Sequence, residues 1–171
     1  MLQTLFFLLA FSSPSFSADP ACDDAGQVYR VCSDQVATFQ SAETAAAEKK
    51  KKLLVVIGAQ WCPWCQSLHL MFDDGVIKKK YEKDFALLEI GLYQGQEKSA
   101  TGQAVLDKLL SYAGEKTPPK GIPMMVVVDP VSHKAKFIDT EKLEKNTPVS
   151  KGHDPEKVLK SIREAAKTLQ R

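Results

Sequence analysis

The sequence predicts an α/β domain in which helices cover both faces of a central four-stranded mixed sheet. Three observations lead to this fold class: continuous apolar runs of strand length, helix-forming segments between those runs, and a strong helix start near the carboxyl end. Continuous apolar runs are typical of strands that are buried on both faces. Strands that are joined by a helix are expected to pair in parallel, because a crossover of this length implies it.

The elements are predicted to follow one another as helix, strand, helix, strand, helix, strand, strand and helix. The first helix is alanine-rich, the second breaks at an Asp-Asp-Gly sequence, and the last begins with an Asp-Pro-Glu start signal. The last two strands form a hairpin, which adds an antiparallel edge, and the polar segment at residues 94–101 is predicted to be a loop. The predicted helices span residues 35–50, 62–72, 76–83, 103–112 and 155–169, and the predicted strands span residues 53–57, 85–92, 122–129 and 135–138.

Two cysteines lie three positions apart at the predicted turn between the first strand and the second helix. Cys62 is followed by Pro63, which suits the first turn of a helix because a missing N–H is no loss there. The unpaired N–H groups and the dipole of the helix would stabilise a thiolate at Cys62 and lower its pKa below about 8.5. Cys65 lies one turn later, close enough to attack a mixed disulfide formed at Cys62. This pattern predicts a redox-active dithiol.

The same pair of cysteines is also half of a zinc site, so a structural metal is the alternative interpretation. Tetrahedral zinc needs two further ligands at a suitable spacing. His69 could share the helical face of Cys65, whereas His133 and His153 are isolated in the sequence and no second Cys-x-x-Cys is present. The redox interpretation is therefore favoured, and no metal site is predicted.

Residues 1–17 have the pattern of a cleavable secretory signal. The apolar core is too short to span a bilayer, and small residues at Ser15 and Ser17 favour cleavage after Ser17. No Lys or Arg precedes the apolar run, which departs from the usual pattern, and a buried N-terminal element is the alternative. The protein is therefore expected to be periplasmic or secreted, with no stable membrane insertion after cleavage.

The remaining chain has the ordinary size of one domain, and its charge is nearly balanced. The 23 basic and 21 acidic residues give a formal net charge of +2, which provides no case for nucleic-acid binding. Residues 18–38 are predicted to form a polar leader that carries a second pair of cysteines, Cys22 and Cys32, ahead of a domain at residues 39–171. A disulfide that staples the leader is the structural interpretation of this pair, and a second redox pair or intermolecular pairing are the alternatives.

The Trp-Cys-Pro-Trp-Cys sequence at residues 61–65, joined to Ile122-Pro123 at the opening of the third strand, resembles the thioredoxin superfamily. The resemblance covers residues 35–171 and is strongest to exported thioredoxin-like thiol:disulfide oxidoreductases. It implies a thioredoxin-like fold in which Pro123 is cis and faces the dithiol. Ile122 and Pro123 would then present a backbone edge to the substrate.

The resemblance also implies how the dithiol works. Cys62 would attack a substrate disulfide and Cys65 would resolve the mixed disulfide, with no bound cofactor. The partners would be protein thiols or disulfides and a redox partner protein. Thioredoxin-like proteins have reduction potentials from about −270 to about −120 mV, so the pattern leaves the direction of electron flow open.

The site departs from thioredoxins at two places. Thioredoxins carry a buried carboxylate six residues before the nucleophilic cysteine, and here that position is Val56. Glu89 on the neighbouring strand is a weak candidate to replace it and is expected to face solvent. The dipeptide between the cysteines resembles the Pro-aromatic pairs of glutaredoxins. Trp61 is expected to pack beside the motif, and Trp64 is expected to be exposed, where it could contact a partner.

Two functions are compatible with this sequence. The first is an exported thiol–disulfide oxidoreductase that exchanges disulfides with protein substrates through Cys62 and Cys65. The second is a binding module of the same fold, which grips partner proteins through the surface around Trp64 with little turnover. Rapid exchange with a disulfide substrate would distinguish the enzyme from the binding module.

Overall fold

The fold is built around a five-stranded mixed sheet in the computed structural model, which describes residues 24–145 and 152–170. The proposed signal at residues 1–17 and Cys22 lie outside the described residues. A short 3₁₀ helix at Glu141–Leu143, which the sequence did not predict, follows the last strand. In chain order the helices are α1 (Gln35–Glu48), α2 (Pro63–Asp73), α3 (Gly75–Tyr81), α4 (Ala100–Ala113) and α5 (Pro155–Thr168), and the strands are β1 (Lys52–Ala59), β2 (Phe85–Gln94), β3 (Glu97–Lys98), β4 (Met124–Asp129) and β5 (Lys134–Ile138).

The sheet has the strand order β3-β2-β1-β4-β5, so β1 lies at its centre. β1 and β2 pair in parallel, as predicted for strands joined by a helix, and β4 and β5 form the predicted hairpin. β4 also follows a helix, but it runs antiparallel to β1. The loop after α4 carries the chain back to the end of the sheet where β1 stops, and β4 therefore begins there.

The fifth strand, β3, corrects the prediction of a four-stranded sheet. Its two residues pair with Tyr93 and Gln94 at the end of β2, within the segment that was predicted to be a loop. Both residues of β3 are exposed, so no apolar pattern marks them as a strand. The prediction of a mixed sheet flanked by helices is confirmed.

Helices cover both faces of the sheet because alternate residues of β1 point to opposite sides. Leu54 and Val56 pack in one apolar cluster with residues of α2 and α5. We call this side the dithiol face, because Cys62 and Cys65 belong to the same cluster. On the opposite face, β1 packs with residues of α1 and α4. The strand therefore carries apolar residues continuously, as its sequence predicted.

Aspartate side chains cap the helices where the sequence predicted starts and breaks. Asp34 and Asp154 each accept two backbone N–H groups at the beginnings of α1 and α5. Asp74 ends α2 and caps α3, since its carboxylate accepts from Val76 and Ile77 at 2.9 and 3.0 Å. A side chain that satisfies these otherwise unpaired N–H groups stabilises a helix start.

The segment ahead of α1, residues 24–34, packs against the sheet, and we call it the leader segment. Directly after it, at the first residue of α1, the side-chain amide of Gln35 exchanges two hydrogen bonds with the backbone of Gly91 in β2, at 2.8 and 2.7 Å. A Cβ atom on Gly91 would lie 2.6 Å from the carbonyl oxygen of Arg30. Glycine at position 91 therefore lets the leader segment cross β2 in direct backbone contact.

Candidate active site

The dithiol lies at the point where β1 passes into α2. Cys62 is the N-cap residue of α2, and its Sγ accepts the backbone N–H of Cys65 at 3.2 Å. Pro63 occupies the first turn, as the sequence predicted. Cys62 and Cys65 are joined by a disulfide, with their Cα atoms 5.2 Å apart. A sulfur that already accepts a helix N–H is placed where a thiolate is stabilised after reduction.

The two sulfur atoms differ in environment. Cys65 is fully buried and Cys62 is 3% exposed, so only Cys62 has any contact with solvent. Burial in apolar surroundings disfavours a thiolate, whereas the N-terminus of a helix favours one. The position at the helix end therefore supports Cys62 as the sulfur that reacts first.

The segment before β4 faces the dithiol. The peptide bond between Ile122 and Pro123 is cis, as the resemblance implied. The carbonyl oxygen of Ile122 lies 3.9 Å from Sγ of Cys62. Thr140 holds this segment from behind, because its hydroxyl donates to the carbonyl oxygen of Pro123 at 2.7 Å. The backbone next to the reactive sulfur is thus anchored to the body of the domain.

The two tryptophans of the motif differ in exposure from the prediction. Trp61 is 53% exposed and its ring lies 6.2 Å from that of Tyr93. Trp64, which was expected to be exposed, is partly buried: it packs on the core and meets the His153 ring edge-on at 5.7 Å. The prediction failed because the segment before α5, which is distant in sequence, covers this side of α2.

A cleft of about 380 Å³ runs beside the exposed tryptophan. Trp61 and Ile122 lie on its lining, so the cleft is continuous with the surroundings of the dithiol. Most of the other lining side chains are apolar, and Lys98 supplies a positive charge. The cleft therefore offers a largely apolar surface beside the dithiol.

Glu89 does not face solvent, and that prediction is wrong. It pairs in register with Val56, which places it on the dithiol face, and its side chain is 16% exposed. Both carboxylate oxygens contact Nδ1 of His69 on α2, at 3.0 and 3.1 Å. Burial raises the pKa of Glu89 above its ordinary value, and His69 offsets part of that effect.

Comparison with known proteins supports the assignment of the fold. A sequence model described as thioredoxin-like matches residues 34–130. The chain belongs to the thioredoxin-like family. A search of curated protein sequences found no significant match.

Three solved structures are similar to this chain, and the first of them has the same fold. A disulphide isomerase from Xylella fastidiosa is 23% identical, with a TM-score of 0.51 over 66% of this chain and 79% of that one. The C-terminal domain of DsbD from Neisseria meningitidis, in the oxidised form, is 16% identical, with a TM-score of 0.49 over 78% of this chain and 97% of that domain. A thiol:disulfide interchange protein from Chlorobium tepidum is 18% identical, with a TM-score of 0.38 over 70% and 83% of the two chains.

Tyr29 contacts the thioredoxin-like dithiol from outside the matched residues, and sequence reasoning missed it. Its side chain is 1% exposed, and its hydroxyl donates to the carbonyl oxygen of Cys65 at 3.1 Å. Burial raises the pKa of Tyr29 far above its ordinary value, and the charge of Glu89 adds to this effect. The phenol therefore stays protonated and remains a hydrogen-bond donor. No local pattern could have found it, because its contacts are with residues more than 30 positions away.

His153 is a buried side chain that contacts the motif through Trp64. It is 7% exposed, and its Nδ1 has no hydrogen-bond partner among the residues that the structure describes. Burial lowers the pKa of His153 below its ordinary value, so the neutral ring is favoured against Trp64. This contact holds the segment before α5 over the beginning of α2.

The predictions about metal binding and membrane insertion cover the whole chain, whereas the structure describes only part of it. Within residues 24–145 and 152–170, no group of three or more His, Cys, Asp and Glu side chains could hold a metal ion. In the same part of the chain, no helix has the length and apolar character needed to cross a membrane. Since Cys22 lies outside the described residues, its pairing with Cys32 stays a prediction.

Proposed function

We propose that the protein is an exported thiol–disulfide oxidoreductase that exchanges disulfides with protein substrates through Cys62 and Cys65. One observation carries the proposal. Sγ of Cys62 caps a helix N-terminus, is bonded to the buried Cys65, and lies 3.9 Å from the backbone of Ile122 before a cis proline. A disulfide whose outer sulfur lies at a helix N-terminus yields a stabilised thiolate on reduction and is suited to exchange, whereas a purely structural disulfide has no need of a helix N-terminus.

The exchange proceeds in two balanced steps in the reducing direction. The Cys62 thiolate attacks one sulfur of a substrate disulfide, which forms a mixed disulfide and releases the other substrate sulfur as a thiolate. Cys65 then loses its proton and attacks Sγ of Cys62, which forms the bond between Cys62 and Cys65 and releases the second substrate thiolate. The substrate gains two electrons and the dithiol loses two. The same steps in reverse oxidise a substrate dithiol.

Substrate contact is proposed for the backbone of Ile122 and Pro123 and for the tryptophan side chains. Of the two rings, Trp61 offers the exposed apolar surface, and it borders the cleft next to the dithiol. Trp64 retains a partly exposed surface at the beginning of α2 and supports the segment that carries His153. Aromatic side chains with exposed faces are typical anchors for protein partners.

Export to the periplasm or the cell exterior is proposed from the signal-like pattern of residues 1–17. A protein that reacts with disulfides repeatedly needs a redox partner protein to restore its dithiol or disulfide, so a second thiol–disulfide protein is proposed as that partner. The Xylella fastidiosa relative, a disulphide isomerase by name, is consistent with thiol–disulfide chemistry on this fold. The direction of electron flow depends on the reduction potential of the dithiol relative to that of its compartment.

The alternative, a binding module with little turnover, is favoured by the low exposure of the dithiol, since only 3% of Cys62 is accessible. The test is the rate at which the full-length protein, reduced with excess dithiothreitol, cleaves the disulfides of a protein substrate such as insulin. Repeated turnover above the dithiothreitol background supports the enzyme. Turnover equal to that of the Cys62→Ser variant would contradict it.

A further inference from the structure

We propose that Tyr29, which the leader segment carries to the dithiol, is a positioning residue for Cys65. It holds the resolving cysteine in place for attack on the mixed disulfide at Cys62. The inference rests on the proposed function, since it concerns the second step of the exchange. It assigns a role in that step to a residue outside the part of the chain that matches the family.

The first argument is the close packing of three residues at the end of β1. A Cβ atom on Gly58 would lie 2.6 Å from Cε1 and 2.8 Å from Cζ of Tyr29, and 3.0 Å from Sγ of Cys65. The tyrosine ring and the resolving sulfur therefore occupy the space directly above Gly58. Only a glycine leaves room for both, so the ring restricts where the sulfur of Cys65 can move.

The second argument is the hydrogen bond from the hydroxyl of Tyr29 to the carbonyl oxygen of Cys65, at 3.1 Å in a fully buried setting. This bond fixes the backbone of Cys65 within the first turn of α2, independently of the disulfide. After reduction the two sulfur atoms are no longer bonded, but this hydrogen bond still ties the backbone of Cys65 to the leader segment.

The third argument is that the leader segment is itself held rigidly at this place. The side-chain oxygen of Gln60 accepts the backbone N–H groups of Val28 and Tyr29 at 3.2 and 3.3 Å. The carboxylate of Asp24 accepts the backbone N–H groups of Val31 and Cys32 at 2.6 and 2.8 Å. Tyr29 is thus fixed on both sides along the chain, as a positioning residue must be.

These contacts act on the resolving step. In the mixed disulfide, the thiol of Cys65 must be deprotonated, with solvent as the final proton acceptor, and its sulfur attacks Sγ of Cys62, which breaks the bond to the substrate sulfur and releases a thiolate. A nucleophile held at the right distance reacts faster, because less conformational freedom is lost on reaching the transition state. The same restraint favours closure of the protein disulfide at equilibrium.

The molecule contains a matched control for the hydrogen bond. Tyr81 is also buried, and its hydroxyl donates at 3.1 Å to the carbonyl oxygen of Phe72, at the opposite end of α2. Tyr29→Phe and Tyr81→Phe therefore remove the same type of bond from the same helix. Only the first removes it next to the dithiol.

The test uses reduced full-length protein and dithiobis-nitrobenzoate, an aromatic disulfide that releases a coloured thiolate. Attack by Cys62 releases the first thiolate and leaves the second bound as a mixed disulfide. Attack by Cys65 then releases the second thiolate and closes the disulfide. Stopped-flow absorbance separates the two steps, and mass spectrometry identifies the adduct on Cys62. A parallel equilibrium with dithiothreitol measures how strongly the dithiol closes.

Tyr29→Phe is expected to slow the second release by about twofold to tenfold, the factor that corresponds to the loss of one buried hydrogen bond. The first release is expected to change little. The equilibrium with dithiothreitol is expected to shift toward the open dithiol by a similar factor. Tyr81→Phe is expected to lower the melting temperature comparably and to leave both quantities unchanged. If the two variants have equal second-step rates and equal equilibria, the inference is wrong.

A second pair of variants keeps the inference testable if Tyr29→Phe folds poorly. Gln60→Met removes the acceptor for the leader backbone, and Gln60→Glu restores an oxygen acceptor. Slower second release in Gln60→Met with recovery in Gln60→Glu supports the inference, and unchanged release in both contradicts it. Failure of the unmodified protein to release a second thiolate would instead contradict the proposed function, so the two failures are distinguishable.

Discussion

The two ends of α2 are held by the same kind of contact, but the partners come from different distances along the chain. At the C-terminal end, Tyr81 lies nine positions from Phe72, donates to its carbonyl oxygen and meets its ring edge-on at 5.3 Å. At the N-terminal end, Tyr29 lies 36 positions from Cys65 and donates to its carbonyl oxygen. The C-terminal end of α2 is thus contacted by α3, the next element in the chain, and the N-terminal end is contacted by the leader segment, which precedes α1.

The chemistry of the site is assembled at the end of α2 that distant segments contact. At the C-terminal end of α2, a local turn capped by Asp74 completes the structure. At the N-terminal end, the leader segment, the cis-proline segment before β4 and the segment carrying His153 all converge on the beginning of the helix. We infer that substitutions at the first end change stability, whereas substitutions at the second end change reactivity.

The largest expected effect is at the dithiol itself. Cys62→Ser is expected to abolish exchange, because the sulfur that attacks is lost. Cys65→Ser is expected to retain attack and to accumulate mixed disulfides with substrates, because resolution is lost. Non-reducing gels and mass spectrometry of trapped adducts would check this. Alkylation of the reduced protein at mildly acidic pH should label Cys62 first, and preferential labelling of Cys65 would reverse the assignment.

A core substitution at the C-terminal end of α2 tests whether stability can change without a change in reactivity. Phe72→Ala is expected to lower the free energy of unfolding by about 3–5 kcal/mol, because a fully buried ring is removed. Urea denaturation of the oxidised protein measures this loss. Where the variant is folded, its equilibrium with dithiothreitol should match that of the unmodified protein, and a shifted equilibrium would show that the two ends are coupled.

The next effect concerns substrate binding at the exposed tryptophan beside the N-terminal end of α2. Trp61→Ala is expected to slow exchange with a protein disulfide severalfold and to leave exchange with a small aromatic disulfide nearly unchanged. The reason is that a protein substrate is large enough to contact the cleft beside Trp61 while its disulfide reacts at Cys62. Leu70→Ala is the control, since Leu70 is 68% exposed on α2 and does not line the cleft. A larger effect from Trp64→Ala than from Trp61→Ala would restore the original prediction for Trp64.

The smallest expected effect concerns Glu89 and pH. Burial raises the pKa of Glu89 in the folded protein, so the folded state binds its proton more tightly than the unfolded state. The stability of the unmodified protein should therefore fall as pH rises through the interval between the unfolded and the folded pKa. Glu89→Gln is expected to lack this fall and still accept from His69. Parallel melting curves from pH 4 to 8 would check it, and identical pH profiles would contradict it.

The elements and the dithiol were predictable because they depend on local patterns. The apolar run of β1, the Asp-Asp-Gly break after α2 and the Asp154 cap of α5 each have causes within a few residues. The cis bond at Pro123 followed from resemblance to a family. The two-residue β3 was missed because both of its residues are exposed and carry no apolar signal.

The surroundings of the dithiol were less predictable because they depend on contacts between distant segments. Trp64 is covered by the segment of His153, which no pattern near the motif reveals. Glu89 was expected in solvent, but the parallel register places it beside Val56 and opposite His69. Tyr29 lies in the leader segment, for which the sequence predicts only a polar leader, and the folded structure shows its side chain against Cys65.

The reduction potential of the Cys62–Cys65 couple in the full-length protein shows whether this disulfide exchanges or is structural. The protein is equilibrated with graded mixtures of reduced and oxidised dithiothreitol or glutathione, and the freed thiols are alkylated and mapped. We expect a potential between about −270 and about −120 mV, with the first two thiols freed at Cys62 and Cys65 and not at Cys32. A potential below about −300 mV for this couple would mark a structural disulfide and contradict the account.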